Sequence, residues 1–165
     1  MHSVWLTLAC GVVVALGVVL VGADIVTVSA QASDPRIGTW KLNVAKSTFS
    51  PGPAPRSNTL KIEASGQGEK LTTEGVNAEG GRTALQYTAN YDGKDYPITG
   101  APNADMISLK RIDARTIERT NKKDGKVNVT ITYVVSQDGK TMTTTVRGTN
   151  AQGQTVNNVA VWEKQ

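Results

Sequence analysis

Apolar and polar side chains alternate along most of the chain after residue 33. The clearest case runs from Lys126 to Ser136, where Val127, Val129 and Ile131 are separated by polar residues. A period of two places successive side chains on opposite faces of a β-strand. This pattern predicts ten strands, over residues 37–43, 58–64, 70–76, 82–91, 96–99, 105–112, 115–121, 126–136, 140–148 and 154–164. The alternation slips near Asn157 and Asn158, which predicts a β-bulge there.

The predicted strands are joined by short turns. Asp-Gly-Lys occurs at residues 92–94, 124–126 and 138–140, and Gly125, Gly139 and Gly153 are spaced 14 residues apart. Asp-Gly favours tight hairpins, because glycine adopts a positive φ without a steric penalty. We therefore predict an all-β, antiparallel up-and-down meander of about ten strands. An open meander would leave two unpaired edges, so closure into a barrel is favoured. A β-sandwich is the alternative, although it usually needs longer crossovers.

The inward-facing positions are not uniformly bulky and apolar. They include Trp40, Tyr87, Tyr91, Tyr133 and Thr144, and the chain contains a single Phe. Barrels whose interior is incompletely filled by side chains can enclose a ligand cavity. The composition of the inner face therefore indicates an internal cavity.

The first 32 residues differ from the rest of the chain. Leu6 to Val28 is almost entirely apolar, and Ala30-Gln31-Ala32 has the small-x-small pattern that signal peptidase cleaves. Residues 1–32 are therefore predicted to be a signal peptide, and residues 33–165 a single β-barrel domain in the periplasm or secreted from a bacterial cell. The alternative is an uncleaved anchor, since the apolar stretch is long enough to span a membrane.

Residues 33–165 lack the side chains that many catalytic and metal sites require. The one Cys and the one His of the chain are Cys10 and His2. A Cys/His zinc site, a Ser-His-Asp triad and histidine-ligated haem are therefore excluded for this domain. Its net charge is +5, because it keeps all 18 Lys and Arg and loses only Asp24 among the 14 acidic residues. We expect this charge to serve solubility. The basic residues between Lys110 and Lys126 lack interleaved aromatics, so no nucleic-acid partner is predicted.

Both ends of the domain resemble a known superfamily. Gly38-Thr39-Trp40-Lys41-Leu42 resembles the first strand of the calycins, the lipocalins and fatty-acid-binding proteins, and Val161-Trp162-Glu163-Lys164 is similar to the end of the fatty-acid-binding proteins. The first motif, residues 91–97 and Val156-Asn157-Asn158 also resemble a group of exported bacterial proteins of unassigned function. The calycin resemblance implies a lipocalin-like barrel that binds a small lipophilic molecule.

The chain also departs from the calycin pattern. A Pro-rich loop over residues 50–55 stands where fatty-acid-binding proteins have two helices, and Ala160 stands where they place an arginine for the lipid carboxylate. These departures leave the fold as the property that the resemblance implies, without the known ways in which its members hold their ligands. We expect an exported, monomeric barrel that is not an enzyme, uses no cofactor or metal, and binds a small apolar or amphipathic ligand, anionic ligands included. Membrane contact is expected only through the N-terminal segment if it is not cleaved. The alternative is an envelope-associated structural or protein-interaction module with no ligand cavity.

Four residues of inward parity are candidates for ligand binding. Arg111 follows Ile107 and Leu109 in the alternation, and Arg119 follows Ile117. A guanidinium facing the interior would suit a carboxylate or phosphate ligand. Tyr87 and Tyr133 are the aromatic candidates on the same inner face. In the alternative interpretation, both arginines lie near strand ends and extend into solvent.

Three further residues are expected to be structural. Trp40 and Trp162 are predicted to close one end of the barrel, as the calycin resemblance implies, with Arg147 as a cation–π partner. The alternative is that both tryptophans are ordinary core aromatics.

Overall fold

The computed structural model describes residues 34–165, which form ten β-strands. Their bounds are β1 Gly38–Thr48, β2 Ser57–Ser65, β3 Gly68–Val76, β4 Arg82–Asn90, β5 Tyr96–Thr99, β6 Met106–Arg111, β7 Thr116–Lys123, β8 Lys126–Val135, β9 Thr141–Thr149 and β10 Thr155–Lys164. All ten predicted strands are present, and β1 continues five residues beyond its predicted end at Asn43. The predicted signal peptide, residues 1–32, lies outside the described residues.

Every strand pairs with its sequence neighbours in an antiparallel meander. β1 also pairs with β10, which closes the sheet into a barrel. The predicted closed, all-β, up-and-down barrel of ten strands is thus confirmed, and the sandwich alternative is wrong. The hairpin turns have the geometry that their sequence favours: Gly125 has φ 75° and Gly139 has φ 69°. At the β7–β8 turn the preceding residue, Asp124, is also left-handed, with φ 50°.

The meander separates the connections into two sets at opposite ends of the barrel. Residues 34–37 and the β2–β3, β4–β5, β6–β7 and β8–β9 connections lie at one end, which we call the plug end. The β1–β2, β3–β4, β5–β6, β7–β8 and β9–β10 connections lie at the other end, which we call the mouth. The inward side chains of one strand all face the interior, but some lie near the plug end and others near the mouth.

The large buried side chains are concentrated toward the plug end. Trp40, Leu71, Leu109, Ile117 and Met142 are completely buried. They lie on five different strands, and their apolar surfaces pack across the interior. Their burial supplies the main favourable contribution to folding, since residues 34–165 contain no cysteine.

The bulge is not where the alternation predicted it. β10 pairs with β9 in continuous register from Thr155 to Glu163, through Asn157 and Asn158. The irregularity lies instead in β1, between Asn43 and Thr48, opposite Val159–Val161. Asn158 keeps the inward parity, and its side-chain Oδ1 accepts a hydrogen bond from the backbone N–H of Ser50. The apolar–polar alternation of β10 is therefore interrupted by an inward polar residue that bonds to Ser50, and not by a shift of register.

Residues 34–165 contain no helix with the length and apolar character needed to cross a membrane.

Candidate ligand cavity

A buried ion pair fills the plug end of the barrel. The Arg36 guanidinium donates two hydrogen bonds to the Glu69 carboxylate, at 2.6 and 3.1 Å, and both side chains are completely buried. The hydroxyls of Tyr87 and Tyr91 donate to the same carboxylate, each at 2.7 Å. Such an ion pair is tolerated in the interior because additional hydrogen bonds satisfy its remaining lone pairs.

A tight turn before β1 directs Arg36 inward. The Ile37 N–H donates to the Asp34 carbonyl, and the Arg36 N–H donates to Asp34 Oδ1. The indole N–H of Trp40 donates to the Arg36 carbonyl at 2.8 Å. The segment before the first strand is therefore bonded into the barrel end, and its arginine becomes part of the interior.

A second ion pair lies beside the first. Arg111 Nη2 is 2.5 Å from Asp34 Oδ2, and the Arg111 guanidinium lies 4.2 Å from the centre of the Tyr91 ring. Burial acts to raise the pKa of Asp34, but the hydrogen bonds from Arg111 and from the Arg36 backbone and the nearby positive charges outweigh it, so the pKa is lowered. Asp34 is therefore ionised at neutral pH and compensates Arg111.

Arg119 lies deeper in the barrel and has no such partner. Its side chain is 8% exposed, and no Asp or Glu carboxylate of residues 34–165 forms an ion pair with it. Its guanidinium carbon lies 5.4 Å from the Tyr87 ring centre and 5.8 Å from that of Tyr133. Its Nε is buried without a hydrogen-bond acceptor. A buried cation is costly unless an anion compensates it.

Arg119 lines a cavity that opens at the mouth. The cavity has a volume of about 400 Å³, within the range typical of small-molecule sites. Its apolar lining includes Leu85, Ala104, Val129, Ile131, Val146 and Val156. Asn58 and Asn121 also line it, and the Oδ1 atom of each is buried without a partner among the described residues. The cavity thus combines an apolar wall with a buried cation and side-chain amides.

The structure places the four predicted ligand residues at three different depths in the barrel. Arg119 lines the cavity, as its parity predicted. Tyr87 and Tyr133 are buried and lie between the cavity and the plug end, with Tyr87 bonded to Glu69. Burial raises the pKa of both phenols, so they are neutral. Arg111 faces inward but lies at the plug end, paired with Asp34 and away from the cavity lining.

The two tryptophans close the plug end, but Arg147 does not contact them. Trp40 is completely buried, and the Trp162 indole N–H donates to Thr144 Oγ1 at 3.0 Å. The cation over the Trp40 ring is Lys164, at 5.1 Å. Arg147 lies on the outer face of β9 and is exposed, because its parity is opposite to that of the inward Thr144 and Val146. The predicted role of Arg147 is therefore corrected.

Arg36 and Glu69 were not predicted from the sequence. Glu69 shares its parity with the buried Leu71, so an acid of inward parity was the available signal. Arg36 precedes the first strand, where alternation provides no information. No group of three or more His, Cys, Asp or Glu side chains within residues 34–165 has the geometry to hold a metal ion.

No protein-family signature matches the chain, and no curated protein matches it significantly. One solved structure with significant similarity is that of zebrafish ileal bile acid-binding protein complexed with cholic acid. It is 12% identical, the match covers 79% of this chain and 99% of that chain, and the TM-score is 0.45. Nothing about the ligand of this chain follows from a similarity of that level.

Proposed function

We propose that the barrel binds a small amphipathic anion in the mouth cavity, with the charged group of the ligand at Arg119. The observation that supports this most strongly is the buried Arg119 guanidinium, which has no compensating carboxylate among residues 34–165. A carboxylate, sulfonate or phosphate group would supply that charge and accept charge-assisted hydrogen bonds. The apolar wall formed by Leu85, Val129 and Val146 would cover the hydrocarbon part of the ligand.

The same geometry favours binding over catalysis. The one completely buried carboxylate of the described barrel, Glu69, already accepts four hydrogen bonds. It is therefore not free to act as a general base toward a ligand at the mouth. The alternative of an interaction module without a cavity is less favoured, because the mouth holds about 400 Å³ of space.

The proposal includes export of the barrel from the bacterial cytoplasm. The apolar segment Leu6–Val28 and the Ala30-Gln31-Ala32 pattern support secretion of the barrel across a bacterial membrane, with cleavage after residue 32. The barrel would then meet its ligand in the periplasm or outside the cell. N-terminal sequencing of the protein from fractionated cells tests this: Ser33 as the first residue supports cleavage, and an intact N-terminus contradicts it.

The test of binding uses the fluorescent amphipathic anion 1-anilinonaphthalene-8-sulfonate and its displacement by decanoate. We expect the purified protein to bind the dye and decanoate to displace it. Arg119→Met should weaken decanoate binding about 10- to 100-fold, which is the expected loss for a hydrogen-bonded charged contact. Arg147→Met, the same substitution at an exposed position of the outer wall, is the matched control and should leave binding unchanged.

Two results would overturn the proposal. The first is the absence of binding of either compound to the folded protein. The second is equal affinity of the wild type and Arg119→Met for decanoate. Circular dichroism of each variant establishes that the barrel is intact in the samples compared.

A further inference from the structure

We infer that Arg36 determines the charge of the ligand site without contacting the ligand. Arg36 binds the Glu69 carboxylate, and Arg119 is therefore left without an anionic partner. Arg36 does not line the mouth cavity. Its guanidinium lies in the plug end and is near the same Tyr133 ring as the guanidinium of Arg119. The inference rests on the proposed binding of an anion at Arg119. It assigns to Arg36 the role of making a singly charged anion the preferred ligand.

Glu69 has a limited capacity for accepting hydrogen bonds. An ionised carboxylate offers about four lone-pair sites to donors. Arg36 takes two of them, and Tyr87 and Tyr91 take one each. Glu69 therefore has no acceptor site left for Arg119. Without Arg36, two of its sites would be open. Arg111 is already paired with Asp34, so the cation left to use these sites would be Arg119, whose guanidinium carbon lies 5.4 Å from the ring centre of Tyr87.

Arg36, Glu69 and Arg119 lie close together around the two buried tyrosines. The hydroxyl of Tyr87 donates a hydrogen bond to Glu69, and the centre of the Tyr87 ring lies 5.4 Å from the guanidinium carbon of Arg119. The Tyr133 ring centre lies 5.2 Å from the guanidinium carbon of Arg36 and 5.8 Å from that of Arg119. Charges that lie near the same buried ring interact strongly, because the interior screens them less than water does.

The charged side chains of the interior leave a net positive charge. The charge of Arg36 is balanced by that of Glu69, and the charge of Arg111 by that of Asp34. Tyr87 and Tyr133 are neutral. Within the described barrel, Arg119 therefore contributes one uncompensated positive charge. A singly charged anion neutralises it. A doubly charged anion would leave one negative charge buried, and a neutral molecule would leave Arg119 uncompensated.

The experiment changes the interior charge in both directions. Glu69→Gln leaves Arg36 and Arg119 both unpaired, and Arg36→Met leaves Glu69 to compensate Arg119. The double variant Arg36→Met/Glu69→Gln removes both members of the pair and restores the single positive charge. Affinities for decanoate and for its neutral analogue decan-1-ol are measured by displacement of 1-anilinonaphthalene-8-sulfonate.

We expect opposite effects of the two single variants on decanoate. Glu69→Gln should bind decanoate about three- to tenfold more tightly, and Arg36→Met should bind it more weakly by a similar factor. The double variant should return to within about twofold of the wild type. The affinity for decan-1-ol should stay unchanged throughout, because it carries no charge. A purely structural role of Arg36 would change both ligands in the same direction.

The inference fails if both single variants shift decanoate affinity in the same direction, or if decan-1-ol follows decanoate. Where Arg36→Met does not fold, the comparison of Glu69→Gln with the double variant decides, and equal decanoate affinities of these two overturn the inference. Failure of the proposed function looks different, since the wild type would then show no decanoate binding that depends on Arg119.

Discussion

At the plug end of the barrel, each charged side chain of the interior has a partner of opposite charge, whereas toward the mouth Arg119 has none among residues 34–165. Arg36 pairs with Glu69, and Arg111 pairs with Asp34. Both ends are built by the same ten strands with the same alternation. The difference lies in which charges the register brings together. The charges at the plug end compensate each other, and the cation nearer the mouth is the one that the proposed ligand would compensate.

The two ends also differ in how tightly their side chains pack. Trp40 and Trp162 fill the plug end, and Tyr87 and Tyr133 lie between it and the cavity. Smaller side chains such as Ala104 and Val146 line the mouth. Large side chains on facing strands exclude space, and small ones leave the cavity. We therefore expect substitutions at the plug end to affect folding and substitutions at the mouth to affect binding. The following predictions test that comparison.

The largest expected effect comes from breaking the buried ion pair. Glu69→Ala removes the anion and leaves Arg36 buried without a partner. We expect the free energy of unfolding to fall by about 3–5 kcal/mol, measured by urea denaturation. Glu63→Ala is the matched control, because Glu63 forms an exposed ion pair with Lys61 on the outer face of β2. The control should change stability far less, and an equal loss in both variants would contradict the comparison.

The second prediction uses one type of substitution in both halves. Leu71 on β3 is completely buried in the plug half, and Leu85 on β4 lines the mouth cavity. Leu71→Ala should lower the free energy of unfolding by about 2–5 kcal/mol, because it opens a cavity in packed surroundings. Leu85→Ala should cost about 1 kcal/mol or less, because its side chain already borders open space. Similar losses at the two sites would show that the mouth is as tightly packed as the plug end.

The third prediction is a gain in stability. Arg119→Met replaces an uncompensated buried cation by an apolar chain of similar length. We expect the free energy of unfolding of the ligand-free protein to rise by about 1 kcal/mol, since binding residues are commonly retained at a cost in stability. The melting temperature of wild type and variant, measured without ligand, provides the check. A clear loss of stability would indicate that Arg119 has a structural role.

The smallest expected effect concerns the pH dependence contributed by Asp34. Its pKa is lowered in the folded protein, so its ion pair with Arg111 contributes stability above the ordinary pKa of an aspartate, about 3.9. This contribution is lost as the pH falls through the lower folded value. The wild-type urea midpoint should therefore exceed that of Asp34→Asn at pH 5, and the difference should shrink below about pH 4.

Removing the partner of Asp34 provides the control for this pH effect. Arg111→Met abolishes the same ion pair, so its pH profile should resemble that of Asp34→Asn. A difference between wild type and Asp34→Asn that is the same at pH 3 and pH 5 would show that titration of Asp34 is not its cause.

The sequence by itself determined the number of strands, their order and the face on which most residues lie. The alternation through β8 and the Asp-Gly turn at Asp124-Gly125 are local signals, since each depends on neighbouring residues and on the conformations open to glycine. Closure followed from the need to pair the two outer strands. The inward orientation of Arg119 could be predicted for the same local reason.

Only the tertiary structure decided what each inward residue meets. Alternation specifies a face of the sheet but not a depth along the barrel, so it could not separate Arg111 at the plug end from Arg119 at the cavity. The Arg36–Glu69 pair joins positions 33 residues apart and depends on a turn outside any strand. The cavity is the space left by side chains from many strands, so no single segment of the sequence encodes its position.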